Sequence, residues 1–212
     1  MATPLLVGLS GGSCAGKTTL AGRIRDLLKP LETEILGSDR YYRPLDHLPP
    51  EERCRQNFDS PEMLDRELLK EHLIRLRAGE PADIPVYDFR LHTRSKETRR
   101  LNPAPVIIVE GIFLLGDPGL RKLLDLAIYV EASEEERLAR RIRRDREERG
   151  RSEEEVLLRF RRDVRPAHRK LVRPGRKTAD LVVNGIGDPK AAARAAADRI
   201  SGLLARPPGK RR

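Results

Sequence analysis

Tryptophan is absent from the 212 residues, and only four tyrosines and four phenylalanines supply aromatic surface. Few platforms therefore exist on which the bases of a single-stranded nucleic acid could stack. Two cysteines, Cys14 and Cys54, are too few for a secreted disulfide framework, and Cys14 belongs to a phosphate-loop motif. No apolar run reaches the length needed to cross a bilayer, and the N-terminus lacks the core of a signal peptide. A reducing cytoplasm is the expected location, with no membrane partner. No internal repeat is visible. Acidic residues are in the minority: 43 Lys and Arg against 33 Asp and Glu give a formal charge of +10. That balance suits nucleic acid, an anionic surface or small phosphorylated anions. Because the arginines are spread over several helical stretches, small anions are the expected partners, without specific nucleic-acid binding.

The chain does contain a complete G-x-x-x-x-G-K-T motif, Gly11-Gly12-Ser13-Cys14-Ala15-Gly16-Lys17-Thr18 followed by Thr19, directly after the apolar run at residues 5–9. Gly11 and Gly16 permit backbone angles that turn successive N–H groups inward around phosphate oxygens. Lys17 offers a compact positive charge to the β- and γ-phosphates, and the Thr18 hydroxyl is a ligand type that Mg²⁺ accepts. Apolar residues at helical spacing follow, so the loop opens a helix whose N-terminal dipole faces the anion.

Residues 34–39 suggest a second strand ending in Asp39, where a carboxylate meets either a phosphate-bound metal or a substrate hydroxyl, unless it is an ordinary turn aspartate. Residues 40–59, with Tyr41, Tyr42, Pro49 and Pro50, suggest an excursion over the mouth of a site. Ser60 is the expected N-cap of a helix that runs through Leu64, Leu69, His72 and Leu76 to Gly79, with His72 packed rather than ligating. Residues 85–100 suggest a hairpin, whose Tyr87 and Phe89 either line a pocket or pack it onto the body. The run Val106-Ile107-Ile108-Val109-Glu110-Gly111 fits a strand buried on both faces. A carboxylate at its end has a poor structural excuse, since burying it unpaired is costly, so Glu110 is placed by a metal or its water.

Residues 126–130 form the next expected strand, and Ser133 with Glu136 a capping box. The helix beyond carries Arg137, Arg140, Arg141, Arg143, Arg144, Arg146 and Arg149, then Gly150 and Arg151. Part of this run is a solvated face paired with glutamates, but its excess near Gly150 suits a lid of guanidinium groups over bound phosphate. A helix from Ser152 to about Arg173, a strand at 179–184 and an Ala-rich helix at 189–204 complete the pattern. Strands alternating with helices predict a doubly wound, five-stranded parallel α/β sheet. The expected organisation is one domain over 1–205, with a substrate-side insertion at 40–105, a lid at 137–155, and a basic flexible tail at 206–212.

These motifs together resemble the uridine/cytidine kinase family of phosphate-loop nucleoside kinases. The resemblance is carried by residues 10–19, Ser38-Asp39 with Tyr42, Asn57-Phe58-Asp59-Ser60-Pro61, Pro85-Val86-Tyr87-Asp88-Phe89 with His92 and Arg94, Glu110-Gly111-Ile112, residues 139–145, Glu148-Arg149-Gly150-Arg151 and Ala179-Asp180. It spans nearly all of the chain to about residue 188. It implies a P-loop kinase fold that transfers phosphate from ATP or GTP to the 5′-hydroxyl of uridine or cytidine. By position, Asp39 would be the general base, and Thr18, Asp39 and Glu110 would be arranged about Mg²⁺. Asp59 would accept from the ribose hydroxyls, Tyr42, Tyr87 and His92 would line the acceptor side, and Arg141 and Arg151 would hold the substrate. Arg144 and Arg149 would act on the phosphates, Asp188 would lie near the nucleotide base, and a homotetramer is implied.

The chain departs from the family pattern where Arg159-Phe160 replaces the usual Gln-Tyr, and again around residues 173–178 and Asn184-Gly185. Arg159 either reshapes the acceptor pocket or swings away from it. A kinase for another acceptor, of the sugar phosphate or pantothenate type, is the competing enzyme expectation. A nucleotide switch or nucleic-acid-binding module is supported only by the basic charge.

Overall fold

The computed structural model describes residues 3–206. Strand β1 (Leu5–Ser10) leads through the phosphate loop into α1 (Lys17–Leu27) and β2 (Thr33–Gly37). A short helix α2 (Pro50–Arg53), helix α3 (Arg66–Arg77) and the hairpin β3 (Ala82–Asp88) and β4 (Thr93–Leu101) lie within the stretch 40–105, with α2 in the excursion at 40–59. Then come β5 (Val106–Glu110), α4 (Pro118–Leu123), β6 (Leu126–Glu131), α5 (Glu134–Arg149) and α6 (Glu153–Arg159). Helix α6 runs on through a π-helical turn, α7 (Arg165–Ala167) and a second π-turn to Val172. Strand β7 (Leu181–Asn184) and helix α8 (Pro189–Leu204) close the described chain. Of the expected basic tail only Arg206 falls among the described residues; 207–212 lie outside them.

The five parallel strands stand in the order β2-β5-β1-β6-β7, and the hairpin forms a separate antiparallel pair. Alternation along β1 and β5 divides the core in two. Leu6, Ile107 and Val109 join α3, the hairpin and Val172 on one face. Leu5, Val7, Leu9, Val106 and Ile108 meet Ile24 of α1 and Ile200 of α8 on the other. A sheet buried on both faces explains why β1 and β5 lack polar alternation, as expected for the centre of a parallel sheet. Full burial of each Leu or Ile contributes roughly 1.5–3 kcal/mol.

Register places the functional ends. Glu110 pairs across to Leu9 on one side and to Gly37 on the other. The phosphate loop, the end of β5 and the turn after β2 therefore emerge at one level of the sheet, at the carboxyl ends where open α/β folds collect ligands.

Three local expectations are corrected, the last in part. Strand β2 stops at Gly37, and Asp39 sits on a 3₁₀ turn, Ser38–Tyr41. Ser60 is not the cap of α3. Its hydroxyl turns to Glu62 Oε2, Pro61–Met63 make only a 3₁₀ turn, and Leu64 is extended in a bridge to Tyr42. The cap is Asp65, whose carboxylate accepts from Leu68 N–H at 3.3 Å. The capping box of α5 is half formed: Ser133 Oγ accepts from Glu136 N–H, while the Glu136 carboxylate is taken by Arg140 Nε at 2.8 Å. His72 is buried, sharing a hydrogen bond with the Tyr41 hydroxyl at 3.0 Å, as a packed helix residue.

Asp65 also pairs with Arg94, which donates to the carbonyls of Tyr41 and Tyr42 and so braces the excursion. Asp65→Ala is expected to lower unfolding free energy by about 1–2 kcal/mol, and Ser60→Ala by less than about 0.5 kcal/mol. Urea denaturation of the two variants checks the assignment; equal losses would return the cap to Ser60.

Candidate active site

The phosphate loop is shaped by residues that tolerate left-handed backbone. Gly11 has φ 147° and Gly16 φ 100°, and a Cβ on Gly11 would fall 2.4 Å from the Val130 carbonyl oxygen. Among the described residues, the non-glycine residues with positive φ are Cys14 in this loop and His92 in the hairpin turn. Both border the cavities described below, where strained backbone is tolerated for function.

Lys17 is buried, and its Nζ donates to the carbonyls of Gly11 and Gly12 at 3.1 and 3.0 Å. Burial lowers its pKa, opposed by the carboxylates of Glu110 and Asp39. Thr18 Oγ1 donates to Glu110 Oε2 at 2.9 Å. Burial raises the Glu110 carboxyl above its ordinary range, against the pull of Lys17 and of the Thr18 bond. Asp39 is raised as well, first by desolvation, with Lys17 opposing and Asp59 adding to the rise. Water in the open cleft still reaches Asp39.

Two cavities meet at this point. A cleft of about 890 Å³ runs along the loop and is lined by Ser13, Cys14 and residues 16–19, by Glu110, Arg140 and Arg144, and by Asn184, Gly185 and Pro189. A smaller space of about 70 Å³ is lined by Tyr42, Asp59, Tyr87, His92, Arg141, Arg151 and Arg159, among others. Asp39, Ser13 and Arg144 border both. In the smaller space His92 stacks on Phe58 at 5.2 Å between ring centroids, and Tyr42 contacts Phe58 and Tyr87. Burial lowers the His92 pKa, and Arg151, Arg149 and Arg159 push it down further, which keeps the ring neutral. The Tyr87 hydroxyl is buried without a protein partner and so keeps a donor and an acceptor site open. Asp59 is buried, 3.6 Å from Arg141 Nη2, and Arg141 Nη1 donates to Ser13 Oγ at 3.1 Å.

Arg159 does not swing away. It lines the smaller cavity, donating from Nη2 to the Cys54 carbonyl at 2.7 Å and from Nε to Glu155 at 2.9 Å. Of the expected nucleotide-side residues, Gly11, Gly12, Ala15 and Asp188 do not themselves line the cleft. The Asp188 carboxylate caps α8 through Lys190 N–H at 2.8 Å, and it is Pro189 that borders the cleft.

Sequence reasoning gave no individual role to two groups. Asp145 is fully buried and faces four arginines, and its position eight residues after Arg137 and four after Arg141, on one face of α5, was the available signal. Arg137, 1% exposed, lies under the loop, close enough that a Cβ on Gly12 would meet its Nη1 at 2.7 Å. Its Nη2 reaches His168 Nδ1 at 3.4 Å, and His168 Nε2 reaches the Tyr129 hydroxyl at 3.4 Å.

For a divalent cation the donors at the loop are one hydroxyl, Thr18, and two carboxylates, Glu110 and Asp39. No group of three or more His, Cys, Asp or Glu side chains suited to a metal occurs among the described residues. This oxygen-only set fits Mg²⁺, which binds through one or two carboxylates plus substrate phosphates and does not need a protein cage. Nor is any helix among the described residues long and apolar enough to cross a membrane.

A phosphate loop at the carboxyl end of a parallel sheet, a second pocket joined to it through an aspartate, and arginines around the junction define a phosphate-loop kinase. Residues 6–192 match the phosphoribulokinase/uridine kinase family, and the chain belongs to it. It is 41% identical to a uridine kinase of Alkaliphilus metalliredigens over 188 residues, 89% of this chain and 90% of that one. A uridine kinase of Oceanobacillus iheyensis is 38% identical over 203 residues, covering 96% and 97% of the two chains. The D-glycerate 3-kinase of Cryptococcus neoformans shares the fold at 19% identity, with a TM-score of 0.65 and 87% of each chain covered.

The His168 cluster generates a stability prediction. Burial first, then the Arg137 and Arg173 guanidiniums, push the His168 pKa from 6.5 down to about 4. The unfolded chain therefore takes up this proton first. The stabilisation is whole above the unfolded value and is lost as pH falls from 6.5 toward 4. Between about pH 7 and pH 5 the wild type should lose roughly 1–2 kcal/mol more than His168→Gln, after allowance for partial exposure. Urea melts at the two pH values test this; parallel losses in both proteins would show that His168 does not titrate as described.

Proposed function

We propose that the protein transfers the γ-phosphoryl group of ATP to the 5′-hydroxyl of uridine or cytidine. The observation that carries this reading is Asp39, which borders both the loop-side cleft and the smaller pocket. A carboxylate there can take the proton from an acceptor hydroxyl in one cavity as that oxygen attacks a phosphorus held in the other. The relatives' names point to the nucleoside, and the pocket chemistry suits one: Asp59 offers acceptor oxygens to ribose hydroxyls, while neutral His92 and the open Tyr87 hydroxyl can bond a pyrimidine edge.

Transfer needs in-line placement more than covalent chemistry. Lys17 and the loop N–H groups hold the β- and γ-phosphates. Arg144 and Arg149 stabilise charge on the transferring group, and Arg141 and Arg151 fasten the acceptor side, so that α5 and the start of α6 work as a lid. Thr18, Glu110 and Asp39 would hold Mg²⁺, which when bound neutralises phosphate charge. Raised carboxyl pKa values at Asp39 and Glu110 suit groups that wait for a cation or a proton to share.

An ADP-release assay across uridine, cytidine, ribulose 5-phosphate and pantothenate tests the acceptor. Turnover with one of the two nucleosides, and none with the others, is expected; activity confined to a non-nucleoside would overturn the reading. Asp39→Asn should lower kcat by about 100-fold or more while nucleotide binding persists. Near-normal turnover in that variant would remove Asp39 as the base.

A further inference from the structure

We infer that Asp145 is a positioning residue for the reaction: its buried carboxylate holds Arg141, Arg144, Arg149 and Arg151 as one cationic cluster that lines the smaller cavity and reaches the loop-side cleft through Arg144. This rests on the reading of those arginines as the groups that face phosphate and acceptor.

The geometry is specific. Asp145 Oδ1 accepts from Arg144 Nε and Nη2 at 2.9 and 2.7 Å and lies 3.6 Å from Arg149 Nη1. The other oxygen, Oδ2, accepts from Arg151 Nη1 at 3.3 Å and lies 3.5 Å from Arg141 Nε. The residue's backbone takes part as well. Its carbonyl accepts from Gly150 N–H, which ends α5 in a left-handed turn at φ 64°, and from Arg151 N–H at 3.1 Å. One residue thereby fixes both the turn that carries Arg149 and Arg151 and the side chains on either side of it.

The charge balance explains the need. Four guanidiniums around one carboxylate leave a surplus of positive charge, which repels itself until an anion arrives. The repulsion is visible at Arg149, whose pKa is lowered by burial and then by Arg144, with Arg151 and Arg141 also contributing. For Asp145 burial raises the pKa, but Arg144, Arg141 and Arg149 outweigh it and the carboxyl stays below its usual range, hence ionised. A neutral group at this point would leave the arginines without a common centre. A shift of about 1 Å in groups that align a transferring phosphoryl is enough to cost roughly 100-fold in rate. Asp145 itself lines neither cavity, so its effect on chemistry passes through the arginines.

The test compares the full-length wild type with Asp145→Asn and Asp145→Glu. Steady-state rates are measured with the acceptor that the wild type turns over, and nucleotide Kd and Tm are measured alongside. If the wild type acts on neither nucleoside, the acceptor reading fails, yet the Asp145 comparison proceeds on whichever acceptor it does use or on its basal ATP hydrolysis. Asp145→Asn, scored per mole of nucleotide-binding sites, should lose about 100-fold in kcat while nucleotide Kd changes less than about threefold, because the loop and Lys17 hold that ligand independently. Adding Arg149→Met to Asp145→Asn should cost little more, since the arginine is already misplaced. If Asp145→Asn folds too poorly to assay, Asp145→Glu keeps the charge and should still lose about tenfold in kcat with Tm nearly unchanged. A lowered Tm with unchanged kcat per binding site, or fully additive losses in the double variant, would make Asp145 merely structural and overturn the inference.

Discussion

A lysine ammonium buried at the carboxyl end of the central strand, with Glu110 and Asp39 as the opposing charges, is the constraint on which the rest depends. Lys17 cannot be left there alone, because an uncompensated buried charge is costly. Its partners come from two other segments of the sheet, one at the end of β5 and one just past β2. Only parallel pairing in the observed register brings those ends level with the phosphate loop. The sheet order and its two-sided core thus serve a site that holds one cation close to two carboxylates in a partly dry place.

The two halves of the site are built differently. The loop side is backbone, shaped by glycines and by the close approach of Val130, and it offers N–H groups and Lys17. The acceptor side is side-chain chemistry on the excursion and hairpin, with Arg94 bracing the segment against Tyr41 and Tyr42. Arg159 ties the same excursion to α6 through the Cys54 carbonyl. Arg144, which lines both cavities, joins the halves, and Arg141 ties the loop at Ser13 to Asp59 of the excursion, so that segments more than 80 positions apart in the chain meet at one site.

Much of this was legible in the sequence where one local signal sufficed. The phosphate loop, the strand ending in Glu110, the hairpin and the arginine-rich helix each follow from spacing or turn chemistry over a few residues. Local competition misled at Ser60, where Pro61 favours a 3₁₀ turn and Leu64 is drawn into a bridge, so that the cap passes to Asp65. Asp188 also serves as the cap of α8, a role that its place before Pro189 allows but that was not read from the sequence. Asp145 received no role of its own because, within an arginine-rich stretch, nothing local separates a buried aspartate from a solvated one. It is buried among four arginines, one of which, Arg141, is itself held by Ser13 and Asp59, contacts that no local window contains. Arg159's orientation depended likewise on a carbonyl 105 residues away.

The proposed transfer runs directly from nucleotide to acceptor across the Asp39 that both cavities share, with no phosphorylated protein intermediate. The stereochemical course at phosphorus tests it most directly, using ATP made chiral at the γ-phosphoryl group with oxygen isotopes and sulfur. A single in-line displacement predicts inversion of configuration in the phosphorylated product. Retention would require two displacements through a covalent enzyme intermediate and would contradict the account.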